Sequence, residues 1–156
     1  MEKSKQIALV AHDNRKKHLA EWVEYNYLTL LRHHLICTGT TGRIVEEAIR
    51  RKMRANGEDI PFEITRLKSG PLGGDQQLGA LITEGRVNVL IFLWDPMEPQ
   101  PHDVDVKALL RLAVLYNVPT ACNRSTADFI ISSELFDKPY QPIQENFAGY
   151  LARPLA

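Results

Sequence analysis

At 156 residues and 44% apolar composition, the chain suits one domain, 1–156, with a sizeable core. Its 19 Lys and Arg balance its 19 Asp and Glu, so no net field recruits nucleic acid or an anionic membrane surface. The two cysteines, Cys37 and Cys122, lie outside any CxxC pair and read as buried reduced thiols, not as a disulfide or metal site.

The N-terminus leads straight into a strand, with no signal peptide or membrane-spanning run, and the expected location is the cytoplasm. Residues 7–11 form a continuous apolar run, short enough for a strand buried on both faces. A helical pattern follows, with Leu19, Trp22, Val23 and Leu30 on one face. Residues 35–38 read as a second strand, and 43–54 as a helix carrying Ile44, Ala48 and Ile49 that Asn56-Gly57 ends. The basic runs Arg15-Lys16-Lys17 and Arg50-Arg51-Lys52 read as solvated helix faces, and His33-His34 as surface residues before the second strand. Residues 62–67 make a weaker third strand. A helix starts near Gln76 and is closed by Gly85. Residues 87–94 are the most hydrophobic strand and are expected at the centre of the sheet. A helix over 103–116 follows, with Val106, Leu109, Leu110 and Ala113 on one side, and then a last strand at 120–122. Ser125 and Asp128 have capping-box spacing for a further helix. The end, 146–156, is either a docked tail or a mobile one. Five strands alternating with helices predict an α/β fold, a doubly wound parallel sheet with right-handed crossovers.

In such sheets, ligands bind beyond the carboxyl ends of the strands, where this chain concentrates its polar loops. Thr38-Gly39-Thr40-Thr41-Gly42 runs from strand to helix and is either an anion site built from N–H groups and hydroxyls, or a turn with Thr40 or Thr41 as cap. It is neither a Walker loop nor GxGxxG, so a nucleotide is not indicated. Lys16 would add a cation to that anion, or be merely solvated. Ser69-Gly70-Pro71-Leu72-Gly73-Gly74-Asp75-Gln76-Gln77 looks like a substrate loop with its own carboxylate, Asp75 being a general base, a helix N-cap, or both. Asp95 follows the most apolar strand, where desolvation would raise its proton affinity unless it is paired; otherwise it is a turn residue before proline. His102 precedes a helix start, which disfavours imidazolium and suits a neutral hydrogen-bond donor to a carbonyl; alone it would be a surface histidine. Asp105 is either a first-turn partner of the helix dipole or a support for His102. His12 either reaches the crevice after strand one or is a turn residue. None of these has a recognised metal-ligand spacing. A phosphate cradle, a carboxylate base and a neutral histidine together suit enolisation of a carbonyl beside a phosphate-bearing carbon, without a cofactor.

On these same residues the chain resembles the methylglyoxal synthase family over nearly its whole length. The matching pieces are 7–13, 38–42, 69–77, 92–96, 101–111 and 123–129, and the Gly-rich and Pro-His-Asp pieces in this order are specific. The resemblance implies a five-stranded, three-layer sandwich of Rossmann or flavodoxin type. It implies a carbon–oxygen lyase converting dihydroxyacetone phosphate to methylglyoxal and inorganic phosphate, a glycolytic bypass. It implies a cytosolic homohexamer with no cofactor or metal, inhibited by phosphate. By position, Asp75 matches the base and His102 the carbonyl-polarising residue. Asp95 and Asp105 match supporting carboxylates near the catalytic centre. Lys16, Thr38, Gly39, Thr40, Thr41, Ser69 and Gly70 match the phosphate site, and His12 a substrate-binding residue. Arg153 is the nearest counterpart of a C-terminal arginine that reaches a neighbouring subunit's site, out of register and followed by Pro154. Two other classes stay in competition: a non-catalytic effector-binding module, disfavoured by Asp75 and His102 in what reads as a stand-alone domain, and an aldose–ketose isomerase sharing the enediolate.

Overall fold

The structure, a computed structural model, describes residues 1–153. Its strands are β1 (Gln6–Ala11), β2 (His34–Cys37), β3 (Glu63–Arg66), β4 (Val89–Leu93) and β5 (Thr120–Ala121). All pair in parallel in the order β3-β2-β1-β4-β5. The middle strand is therefore β1, and the hydrophobic β4 lies beside it rather than at the centre. The helices are α1 (Lys16–Leu30), α2 (Gly39–Asn56), α3 (Gly74–Thr83), α4 (Asp103–Leu115), α5 (Arg124–Ser132) and the short α6 (Ala148–Leu151).

Alternation along β1 builds the layers. Ile7, Leu9 and Ala11 pack with Trp22 and Val23 of α1, Val45 and Ile49 of α2 and Ala127 of α5. Ala8 and Val10 pack with Leu78 and Ile82 of α3 and with Val106 and Leu109 of α4. The winding direction reverses between β1 and β4, and the crevice where such sheets bind ligands opens there, past the strand ends.

Three local expectations are corrected. α2 starts at Gly39, four residues before the expected 43, so the Thr-Gly stretch is its first turn and Thr38, not Thr40 or Thr41, takes the N-cap position. α5 is capped by the Asn123 side chain, which accepts from the Thr126 N–H at 2.9 Å; Ser125 lies inside the helix and Asp128 accepts from the Trp22 indole. His33 is buried, not on the surface: its Nδ1 accepts from the Lys5 N–H at 3.1 Å and its ring meets Phe136 edge-on. A sheltered apolar contact, invisible in the local sequence, outweighs its polarity. Desolvation there pushes its pKa down to about 4. Cys37 is buried and Cys122 half-buried, both as free thiols.

Candidate active site

A cavity of about 310 Å³ opens at the carboxyl edge of the sheet. His12 enters it from the end of β1, and Lys16 from the start of α1. Thr38, Gly39, Thr40 and Thr41 enter from the β2–α2 junction, and Ser69 and Gly70 from the loop after β3. Asp75 comes from the first turn of α3, and His102 from the N-cap position of α4. Chain segments far apart in sequence thus meet because each follows a parallel strand.

One end of the cavity is built for an anion. The first N–H groups of a helix have no partner within it. In α2 the Gly39 N–H is taken by the carbonyls of Leu67 and Lys68, while Thr40 and Thr41 present theirs with the positive end of the helix dipole. Lys16 Nζ donates to the Thr40 hydroxyl and to Asp13, so the cation is held against the α2 N-terminus. That pairing draws the Asp13 carboxyl below the usual range.

The other end holds the acid–base groups. Asp75 Oδ2 lies 3.5 Å from His102 Nε2, and neither Asp75 Oδ2 nor His102 Nδ1 has a hydrogen-bond partner although both are buried. Gly70, in the loop after β3, leaves room for this closeness: a Cβ there would sit 2.8 Å from His102 Nε2 and 3.0 Å from Asp75 Oδ2. Glycine is needed because the pair closes over the backbone. Asp75 is not the N-cap; Gly73 is, with φ 98°, so the carboxylate is free for chemistry. Burial raises the Asp75 pKa; His102 lowers it in part and Asp105 adds to the rise. His12 stands edge-on to both Phe92 (centroids 5.2 Å apart) and His102 (5.8 Å). Its Nδ1 accepts from the Asp95 N–H at 3.2 Å, which puts its proton on Nε2, a buried donor without a protein partner. Burial first, and the neighbouring His102 second, push its pKa down and favour the neutral ring.

The remaining two expected residues stand behind the cavity, outside its lining. The Asp95 carboxylate accepts from the Met97 N–H (3.1 Å), Asn14 Nδ2 (3.1 Å) and Arg15 Nη2 (3.4 Å). The Met97 N–H first, then Asn14, hold its pKa below the usual range, which makes it the weaker base of the two carboxylates. Asp105 lines a groove between α3 and α4 on the far side of Asp75. Sequence reasoning passed over Gln100, which lines the cavity, and Asn14, which holds Asp95. Their one available signal was proximity, to His102 and to His12. Arg153 is exposed and lies over the Tyr150 ring; Pro154 falls outside the described residues.

Among the described residues, no group of three or more His, Cys, Asp or Glu side chains is placed to hold a metal. A larger, more open hollow of about 470 Å³ lies between α1 and α5. Its charged residues are engaged elsewhere, Arg124 with Glu21 and Asp128 with Trp22, and it brings no acid–base pair together. The site therefore belongs to the smaller cavity.

The model of the MGS-like domain matches residues 19–122. The methylglyoxal synthase of Maridesulfovibrio salexigens is 57% identical over 99% of this chain and 100% of its own length. That of Hahella chejuensis is 52% identical over 94% of this chain and 88% of its own. The crystal structure of methylglyoxal synthase from Elizabethkingia anophelis superposes with a TM-score of 0.88 at 46% identity, covering 100% of this chain and 95% of that one.

Proposed function

The chain belongs to the methylglyoxal synthase family, lyases that form methylglyoxal and inorganic phosphate from dihydroxyacetone phosphate, and on that premise we propose how its residues carry out the reaction. The phosphate sits at the α2 N-terminus, held by Lys16, Thr38, Gly39, Thr40, Thr41, Ser69 and Gly70. Asp75 takes a proton from the hydroxymethyl carbon. Negative charge then grows on the carbonyl oxygen, which accepts hydrogen bonds from His102 and from the His12 Nε2–H. The enediolate electrons next expel phosphate by breaking its bond to carbon. The enol that remains ketonises to methylglyoxal. Asp95 and Asp105 support from behind, the first through its backbone N–H on His12, the second through its charge beside Asp75.

The observation that carries this reading is the buried, unpaired Asp75 oxygen beside His102 at one end of a cavity whose other end suits phosphate. A desolvated carboxylate is a better proton acceptor than a solvated one. The same reading takes residues 1–156 as one domain, supported by two apolar clusters on a single sheet. It takes the active form as a homohexamer inhibited by phosphate. Exposed apolar side chains support assembly, Tyr25, Phe129 and Ile143 among them. It also places the protein in the cytoplasm; no helix among the described residues is long and apolar enough to cross a membrane.

Product analysis with dihydroxyacetone phosphate tests it. Equal release of methylglyoxal and phosphate, reduced by several orders of magnitude in Asp75→Asn, is expected. Near-normal turnover by Asp75→Asn would remove Asp75 as base. Glyceraldehyde phosphate without free phosphate would indicate isomerisation, and phosphate binding without turnover an effector-binding module.

A further inference from the structure

His102 is delivered to the cavity by residues 94–102, a segment without regular structure between β4 and α4. Its two ends are fixed. At one, the Asp95 N–H donates to His12; at the other, the Asp103 N–H donates to the Gln100 carbonyl at 3.2 Å. Arg15 Nη2 also reaches the Asp95 carboxylate, at 3.4 Å, but one side chain from elsewhere reaches further along the segment. Asn14, in the 3-10 turn Asp13–Arg15 that follows His12, donates from its single amide nitrogen to Asp95 Oδ2 and to Glu98 Oε2. Among the described residues, the Asn14–Glu98 bond is the one hydrogen bond that joins residues 96–101 to any element other than α4.

We infer that Asn14 is a positioning residue for the reaction: its amide bridges Asp95 and Glu98 and so holds the segment that presents His102. The chemistry of the bridge is specific. Two carboxylates that meet at one point repel each other unless a donor stands between them. A neutral amide with two N–H groups serves both at once and adds no charge beside the active site. The bridge ties the loop carrying His12 and Lys16 to the segment carrying Gln100 and His102, the two walls between which the substrate's carbonyl must sit. Hydrogen bonds to charged acceptors are the stronger kind, which suits a short tether on an exposed turn.

This inference rests on His102 as the carbonyl-polarising group, and a His102→Gln control separates the two. Turnover, phosphate inhibition, melting temperature and backbone hydrogen exchange over 94–102 are compared for Asn14→Ala, Asn14→Asp and the double variant Asn14→Asp/Glu98→Gln. Asn14→Ala removes the bridge and is expected to lower kcat about threefold, the scale of a lost hydrogen bond. Asn14→Asp adds a third carboxylate and is expected to lower kcat at least about tenfold through displacement of the catalytic group. The double variant restores a donor, now on residue 98, and is expected to recover at least the Asn14→Ala level. Phosphate inhibition should stay within about twofold throughout, and exchange over 94–102 should rise and fall with the kcat loss; a purely structural role would move the melting temperature without this pattern. Wild-type kcat in both single variants, or no recovery in the double, would overturn the inference. Wild-type kcat in His102→Gln would instead overturn the reading of His102.

Discussion

Asp75 and Asp95 are the same side chain put to opposite uses. Asp75 is buried with one oxygen unpaired, so burial raises its proton affinity. Asp95 is equally buried by its neighbours but accepts from Met97, Asn14 and Arg15, and its proton affinity falls. A base must be ionised to act, so the acid limb of the kcat/KM profile should lie above the ordinary carboxylate range, with Asp75 protonated below it. The stability consequence has the opposite sign to that of a paired carboxylate. With the folded-state pKa raised, ionised Asp75 destabilises the fold above that pKa, and the cost disappears as the pH falls below the unfolded value. Asp75→Asn should therefore be nearly inactive yet raise Tm, because the amide carries no charge to desolvate. A Tm decrease in calorimetry would contradict a buried, uncompensated Asp75 carboxylate.

At the scale of elements, the helices and strands with strong apolar periodicity are legible in the sequence: β1, α1 and α4 stand where the pattern of Ile7, Leu19, Trp22, Val106 and Leu109 puts them. What the pattern misses lies at helix starts, because the first turn carries no apolar period. α2 therefore begins at Gly39 instead of Arg43, and α3 places Asp75 within its first turn instead of at its cap. The 3-10 turn Gly70–Leu72 shows what such junctions do. Gly70 is outside the left-handed region, so its backbone accepts alanine; only the contact with His102 and Asp75 forbids it. Gly70→Ala should lower kcat/KM about 10–100-fold by spreading that pair, as small misplacements of catalytic groups do. Circular dichroism should show a cooperatively folded protein, and a variant with wild-type kcat/KM would contradict the tight approach.

For the whole molecule, topology makes the site. Right-handed crossovers around one parallel sheet carry the ends of β1, β2, β3 and β4 to one edge, and the reversal of winding between β1 and β4 opens the crevice there. A phosphate ligand bridging three of these segments should stabilise the assembled fold over the unfolded chain. At 100 times its Kd, inorganic phosphate is expected to add about 2.7 kcal/mol, or roughly 5–10 °C in Tm. Lys16→Ala should diminish that shift, and a Tm indifferent to phosphate would contradict the anion site. The sequence by itself determined the fold class, the family and ten of the residues that line the cavity, because these depend on apolar spacing and on residue types at strand ends. It left open which carboxylate is the stronger base, the tautomer of His12 and the bridging of Asp95 and Glu98 by Asn14, and it put the buried His33 on the surface. Only the tertiary structure decided these, because proton affinity and hydrogen-bond partnership depend on which distant groups stand within a few ångströms and on how much water the packing removes.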